Sequence, residues 1–219
     1  MPAVLIGSAA LGDYVQGVSD LDVVAIAPEP VPDPEALARP LGHGELPCPA
    51  RRLELVVYTA EQAAAPSAEL VFELDLSSGA GGDRLLTGPG EQPAHRYLID
   101  LAIARDHGCS LSGPPVRELI GPAPHRDVID ALVAGLSWAL QEEPESPDTV
   151  LNAARAARFA LGGDWLSKSA AADWAMQTGS DPRLVASALD TRRAGAGELP
   201  ADRVAMLVAE ATAELEAAR

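Results

Sequence analysis

The stretch GSAALGDYVQGVSDLDVV, residues 7–24, places a Gly-Ser pair after one apolar run and ends in two aspartates that open another. Residues 3–6 (AVLI) come just before it and predict a buried strand that stops at the glycine. Residues 20–27 (DLDVVAIA) predict a second strand, on which Asp20 and Asp22 share one face because side chains alternate along a strand. The fold is therefore expected to begin with strand, turn and strand.

This first turn and the two aspartates suggest a phosphate and metal site. Glycine lets a backbone approach a phosphate closely, and a helix that opens at Gly7 and Ser8 would present free N–H groups to an anion. Aspartates two residues apart on a strand can bind Mg²⁺ through their oxygens. A triphosphate held above such a metal is the equipment of nucleotidyl transfer. The alternative is that Ser19 and Asp20 form a turn and Asp22 is an exposed strand residue, and the spacing alone supports both equally.

Two further strands are predicted, at residues 52–58 (RLELVVY) and 70–76 (LVFELDL). Both carry acidic residues where a small sheet is usually apolar: Glu54 on the first, and Glu73 and Asp75 on one face of the second. Neighbouring carboxylates repel one another and resist burial, but they are tolerated when they share a cation. Glu54 or Glu73 is therefore expected to complete a cluster with the two aspartates.

The second half of the chain has a different pattern. The Gly- and Pro-rich segment SSGAGGDRLLTGPGEQP, residues 77–93, predicts a boundary between domains. Amphipathic helices are predicted beyond it at 94–108, 126–141, 147–161, 167–178, 181–193 and 200–218. We therefore expect an α/β domain in residues 1–85 and an all-helical domain in residues 86–219. Proteins built from two such domains commonly bind a small molecule between them, so a small-molecule site is expected here.

The charge of the chain limits its partners. Its 32 acidic and 16 basic residues give a formal net charge of −16. Such a surface repels nucleic-acid phosphates and anionic membranes, so neither is expected as a partner. It suits a cationic small molecule, although acidity serves solubility equally well. The two cysteines form no motif and no apolar run reaches membrane length, so a cytoplasmic location is expected.

Several segments together resemble a known family. The pair at residues 7–8 and the SDLD at residues 19–22 look like the signature of the DNA polymerase β-type nucleotidyltransferase superfamily. The segments at 98–115 (LIDLAIARDHGCSLSGPP), 151–163 (LNAARAARFALGG) and 167–176 (SKSAAADWAM) are similar to the helical domain of streptomycin/spectinomycin (3''/9-type) aminoglycoside adenylyltransferases. The resemblance extends over nearly the whole chain.

The resemblance implies an α+β fold and an activity. The fold is a polymerase-β-type mixed sheet with helices, followed by an all-helical bundle that binds the substrate. The activity is Mg²⁺-dependent transfer of AMP from ATP to a hydroxyl of an aminoglycoside antibiotic, which releases pyrophosphate and confers antibiotic resistance. A monomer or weak dimer is expected. Two alternatives remain: a nucleotidyltransferase with another small-molecule or protein acceptor, and a degenerate homologue that binds nucleotide without turnover.

The resemblance also implies roles for residues of the first domain. Gly7, Ser8 and Ser19 would contact the ATP phosphates. Asp20 and Asp22, the catalytic aspartates, would bind Mg²⁺, and Glu54 would be the third carboxylate ligand. The family's general base is a glutamate after a Phe-Gly pair, and the local sequence VFELDL offers Glu73 or Asp75, of which we favour Glu73.

In the helical domain, Asp173 matches an acid that receives a cationic group of the drug, and Trp174 is expected either to contact the drug or to pack between helices. A second family acid is missing, since Ser169 follows the lysine. A basic residue late in this domain normally holds the triphosphate, and Arg193 or its neighbour Arg192 is expected to serve.

The start of the chain is also unusual for the family, whose members usually carry a helix before the first strand. Here the strand at residues 3–6 is almost the first element. We expect either that the true start lies upstream or that the protein lacks this helix. In the second case, the sheet would be marginally stable or covered by a partner chain.

Overall fold

The computed structural model describes residues 1–88 and 94–219. It divides the chain into two compact units, Met1–Pro124 and His125–Arg219. The predicted boundary at residues 85 and 86 therefore falls inside the first unit. The physical reason is the helix Ala94–His107, which buries Leu101 and Ala104 in the same core cluster as the strands. Part of the predicted linker, residues 89–93, lies outside the described residues.

The first unit, which we call the sheet unit, is built on a mixed six-stranded sheet. Its strands are β1 (Ala3–Leu5), β2 (Leu21–Ala27), β3 (Arg52–Thr59), β4 (Leu74–Gly79), β5 (Arg84–Thr87) and β6 (Cys109–Ser112). Their order is β5-β4-β3-β2-β1-β6. Only β2 and β3 pair in parallel among the described strands, and the other pairs are antiparallel. The predicted α+β class is confirmed.

Helices surround this sheet and make up the second unit, which we call the helical unit. The sheet unit holds α1 (Gly7–Ala10), α2 (Pro34–Ala38), α3 (Ala60–Ala64), α4 (Ala94–His107) and α5 (Val116–Leu119). The helical unit holds α6 (His125–Glu142), α7 (Pro147–Gly162), α8 (Lys168–Thr178), α9 (Pro182–Ala194) and α10 (Ala201–Ala217). Side-chain oxygens of Ser146, Ser167 and Asp181 cap α7, α8 and α9, as expected for helix starts. Within the described residues, no helix has both the length and the apolar character needed to cross a bilayer.

The two faces of the sheet bury different side chains. Val24, Val56 and Tyr58 form a core with Tyr97 and other residues of α4. The side chains between them in sequence point the other way and form a second core, which includes Val57, Leu74 and Leu76 and is covered by α2. Because alternation puts every second residue on one face, the acidic residues at positions 22, 54 and 75 lie on the α4 side. We call this the acidic face.

The first part of the segment predicted as a linker, residues 77–87, belongs to the hairpin formed by β4 and β5. β4 continues to Gly79, which pairs with Arg52, and β5 returns alongside it. A Cβ at Gly79 would lie 2.8 Å from the Cβ of Arg52 and 2.9 Å from the carbonyl oxygen of Arg51. Glycine is required there by the close approach of β3, so a composition typical of loops conceals a strand.

Candidate functional site

The turn after β1 is locked to the first residues of β2. The Ile6 N–H donates to the carbonyl oxygen of Asp22 at 2.9 Å. Gly7 then takes a positive φ of 63°, and a Cβ at this position would lie only 2.0 Å from Oδ2 of Asp22. Glycine is needed here for two independent reasons, a left-handed backbone and the space occupied by a carboxylate. The Gly-Ser pair and the aspartate predicted to act together are thus in direct contact.

Glu54 lies beside Asp22 on the acidic face. The two residues are register partners on the parallel strands β2 and β3, which places their backbones about 4.8 Å apart. The hydroxyl of Ser77 donates to Oε1 of Glu54 at 2.6 Å, and Nη2 of Arg96 donates to Oε2 at 3.4 Å. Both carboxylate oxygens are therefore held, while the side chain keeps 14% of its surface exposed.

Asp20 is engaged by an arginine at the surface. Nε and Nη2 of Arg51 donate to its two carboxylate oxygens at 2.8 and 2.6 Å. Among the residues that the structure describes, no group of three His, Cys, Asp or Glu side chains is close enough to hold a metal ion. The donor set still fits Mg²⁺ in kind, because carboxylate oxygens are its usual protein ligands. The 59% exposed side chain of Arg51 has room to release Asp20.

The two serines predicted to hold phosphates have different surroundings. Ser19 is buried, and its hydroxyl oxygen accepts from the Val15 N–H at 3.0 Å while its own N–H donates to the Val15 carbonyl at 2.8 Å. Ser19 therefore closes the loop that precedes β2. Ser8 is half-buried in α1, and its carbonyl oxygen accepts from the Asp13 N–H at 2.8 Å. Contact of either serine with a phosphate stays a prediction.

The structure corrects the predicted place of Glu73. Its Oε2 accepts from the Val31 N–H at 2.9 Å, and Val31 packs against the core on the opposite face of the sheet. Glu73 therefore does not flank the acidic face. The prediction extended the alternation of β4 back to residue 70, but β4 begins only at Leu74. Asp75 lies on the acidic face instead, where it is fully buried and its Oδ2 accepts from the Tyr97 hydroxyl at 2.8 Å.

A cationic residue of α4, which the sequence did not point to, lies among these acids. Nη2 of Arg96 lies 3.8 Å from Oδ2 of Asp75, and its Nε lies 3.9 Å from Oδ2 of Asp100. Burial alone would lower the pKa of Arg96, but the charges of Asp100, Asp75 and Glu54 outweigh it and raise that pKa. Burial and the hydrogen bond to Asp75 likewise raise the pKa of Tyr97. An arginine and a tyrosine in the first turns of a helix carry no spacing signal, so only the tertiary structure identifies them.

The two residues predicted to bind substrate have different surroundings in the helical unit. Asp173 is exposed on α8. Trp174 is half-buried and lines a groove of about 430 Å³ with Glu210 and Glu214 of α10. Burial and the nearby charge of Glu210 raise the pKa of Glu214. Because consecutive helical residues point about 100° apart, Asp173 does not line this groove.

The two arginines predicted to hold the triphosphate have different surroundings. Arg193 is 59% exposed, with Nη1 3.9 Å from Oδ1 of Asp190 on the same helix. Its neighbour Arg192 is buried, and its Nε lies 3.8 Å from Oδ1 of Asp148. Lys168 Nζ donates to the same oxygen at 2.7 Å. The basic cluster of the helical unit is thus built around Asp148 and includes Arg192 rather than Arg193.

Parts of the chain are similar to known proteins. Residues 118–214 match the family model described as the C-terminal domain of aminoglycoside adenylyltransferase. Proteins named aminoglycoside (3'') (9) adenylyltransferase from Klebsiella pneumoniae and Escherichia coli are each 38% identical to this chain over an alignment of 90 residues, and the match covers 36% of this chain. The match spans 33% of the length of each of these relatives.

A solved structure is similar over nearly the whole chain. It is the crystal structure of spectinomycin adenyltransferase AAD(9) from Enterococcus faecialis with ATP and spectinomycin. The TM-score is 0.67, and the match covers 99% of this chain and 91% of that one at 16% identity. At this identity, the likeness concerns the fold. The predicted resemblance to aminoglycoside adenylyltransferases is confirmed.

Proposed function

We propose that this chain is a Mg²⁺-dependent adenylyltransferase that transfers AMP from ATP to a hydroxyl of an aminoglycoside-like cationic small molecule. The observation that carries the proposal is the contact between Gly7 and Asp22, with Glu54 in register beside it. This arrangement brings a turn suited to phosphate next to two carboxylates suited to a metal. The family match in the helical unit supports the same activity.

The residues at the turn after β1 and on the first strands would have distinct roles in this reaction. Asp20, Asp22 and Glu54 would hold Mg²⁺, and Gly7 and Ser8 would lie against the triphosphate. When bound, Mg²⁺ would neutralise phosphate charge and favour ionisation of the acceptor hydroxyl. Asp20 contributes only after Arg51 has released it.

The chemical step transfers the AMP group of ATP to the acceptor oxygen. The acceptor oxygen attacks the α-phosphorus, the bond to the bridging oxygen breaks, and pyrophosphate leaves with its electron pair. The acceptor proton passes to a carboxylate, which must be within reach of the hydroxyl. Glu73 faces the other side of the sheet and Asp75 is fully buried. Glu54 combines a place beside Asp22 with exposed surface, so we assign it this role together with metal binding.

A cationic acceptor is supported by the acidity of the chain and by the acids of the helical unit. The net charge of −16 attracts polycations. Asp173 is exposed and free to meet an amine or guanidinium group, although Ser169 stands where the family carries a second acid. The groove beside Trp174 adds the carboxylates of Glu210 and Glu214.

The test is Asp22→Asn, assayed with labelled ATP and Mg²⁺ against streptomycin, spectinomycin and other aminoglycosides. We expect AMP transfer to fall by about a hundredfold or more, because a metal ligand supplies several kcal/mol of transition-state stabilisation. The melting temperature should stay close to that of the wild type. Asp190→Asn is the matched control, since this side chain is 81% exposed, and it should keep full activity. Wild-type turnover by Asp22→Asn would reject the metal assignment.

A nucleotide-binding protein without turnover is the second candidate. It is favoured by the bidentate pair of Arg51 with Asp20, which leaves the described carboxylates short of a compact metal site. Calorimetry would then detect ATP binding while no acceptor in the panel releases pyrophosphate.

A further inference from the structure

Arg96 lies where a cation would be expected on the acidic face. Its guanidinium is within 4 Å of three carboxylates, which belong to Glu54, Asp75 and Asp100. It also lies over the ring of the adjacent Tyr97, 5.6 Å from the centroid. Carboxylates gathered in this way repel one another unless a positive charge lies between them.

Asp75 shows that the negative charge of this face is incompletely satisfied. Its side chain has no exposed surface. One oxygen accepts from the Tyr97 hydroxyl, but Oδ1 has no hydrogen-bond partner in the described part of the chain. The nearest guanidinium to that oxygen is Nη2 of Arg84, at 3.9 Å. A buried carboxylate oxygen without a hydrogen-bond donor is costly, so Asp75 depends on the nearby charges of Arg84 and Arg96.

We propose that Arg96 is a built-in counter-ion that competes with a divalent cation for Glu54 and so sets the metal affinity of the acidic face. Arg96 is a positioning residue in this proposal, which rests on the proposed function only for the identity of the metal site. It holds one oxygen of Glu54 when no metal is bound, and the Ser77 hydroxyl holds the other, which also lies 3.9 Å from Nη1 of Arg52. A divalent cation that uses Glu54 must displace Arg96 or bind against its charge.

Arg96 cannot make way for a metal by losing its charge, because a guanidinium stays protonated in proteins. Two cations that share one carboxylate bind with negative coupling, and such couplings are commonly about 5- to 150-fold. Removing the guanidinium should therefore strengthen divalent binding.

The experiment is Mn²⁺ binding to the full chain by calorimetry, without ATP or acceptor. We expect Arg96→Gln to bind Mn²⁺ about tenfold more tightly than the wild type. Arg126→Gln is the matched control, because it removes one positive charge from a 76% exposed side chain in the helical unit. The control should bind like the wild type. The double variant Glu54→Gln/Arg96→Gln should lose the gain.

Three results would overturn the proposal: equal or weaker Mn²⁺ binding by Arg96→Gln, the same gain in Arg126→Gln, or a gain that persists without Glu54. If Arg96→Gln folds only when Mn²⁺ is present, that dependence supports the exchange. Failure to fold at saturating Mn²⁺ overturns it, because the added cation should neutralise the same carboxylates. No turnover is measured, so a failed adenylyltransferase assay leaves this result intact.

Discussion

The sheet unit and the helical unit each contain a cluster of charged side chains, and the two clusters have opposite excess charge. On the acidic face, four carboxylates outnumber three guanidinium groups; the carboxylates are those of Asp22, Glu54, Asp75 and Asp100, and the guanidinium groups are those of Arg52, Arg84 and Arg96. In the helical unit, Lys168 and Arg192 gather around one carboxylate, that of Asp148. An excess of carboxylate attracts cations and an excess of ammonium and guanidinium attracts anions.

The two clusters also differ in how their backbones place them. The acidic face depends on strand register and on a glycine that leaves room for a carboxylate. The basic cluster depends on side chains from three helices whose starts are fixed by capping oxygens. Adding one carbon atom at Gly7 should therefore disturb the acidic face more than removing the charge of Asp148 disturbs the basic cluster.

The largest effect is expected for Gly7→Ala. The added Cβ would lie 2.0 Å from Oδ2 of Asp22 and would require a positive φ. We expect a loss of about 3 kcal/mol in the free energy of unfolding, measured with urea, because backbone strain and the displacement of the half-buried Asp22 carboxylate add together. AMP transfer should fall with it, since Asp22 is moved.

Gly17→Ala is the matched control for this variant. Gly17 also has a positive φ, of 78°, but a Cβ there would meet nothing within 4 Å. Only the strain of the left-handed conformation applies, at about 1 kcal/mol. Equal losses for both variants would mean that Asp22 does not occupy the space beside Gly7.

A smaller effect is expected for Asp148→Asn in the basic cluster. It leaves Lys168 and Arg192 without their shared carboxylate, and we expect a loss of about 2 kcal/mol, between the values for exposed and buried pairs. Burial alone would raise the pKa of Asp148, but the charges of Lys168 and Arg192 leave that pKa below its ordinary value.

The sign of the pH dependence follows from that lowered pKa. In the unfolded chain, the Asp148 carboxylate is protonated at about pH 3.9, and in the folded chain it is protonated only at lower pH. The stability that the wild type has over Asp148→Asn should be complete above about pH 4 and should decline as pH falls through the folded pKa. Urea titrations of the wild type and of Asp148→Asn at several pH values measure it. A difference that is constant across this range would contradict the assignment.

Local patterns were enough to predict most of the secondary structure. Strands β2 and β3 and the helices of the helical unit follow from alternation and from helical periodicity, which depend on neighbouring residues only. The shared face of Asp22 and Glu54 follows from the same alternation once the two strands pair in register.

The failures all involve contacts between residues far apart in sequence. Gly79 reads as a loop residue, although its real constraint is the backbone of β3. Glu73 was assigned to the wrong face because strand β4 begins at Leu74 and not at residue 70 as predicted. Arg96 and Tyr97 reach the acidic face only because α4 packs across it. A single sequence contains no sign of these pairings, since none of them is periodic.

The smallest effect is expected for Arg51→Gln, and it separates the contribution of the exposed Arg51 from that of Arg96. Arg51 makes a short bidentate pair with Asp20, but its side chain is 59% exposed, and such pairs contribute less than about 1 kcal/mol. The free energy of unfolding should therefore change by no more than about 0.5 kcal/mol. Arg117→Gln, which breaks the exposed pair with Asp106, is the control and should behave alike. A loss as large as that of Asp148→Asn would show that Asp20 is held as firmly as the buried acids, and its release to a metal would then be costly.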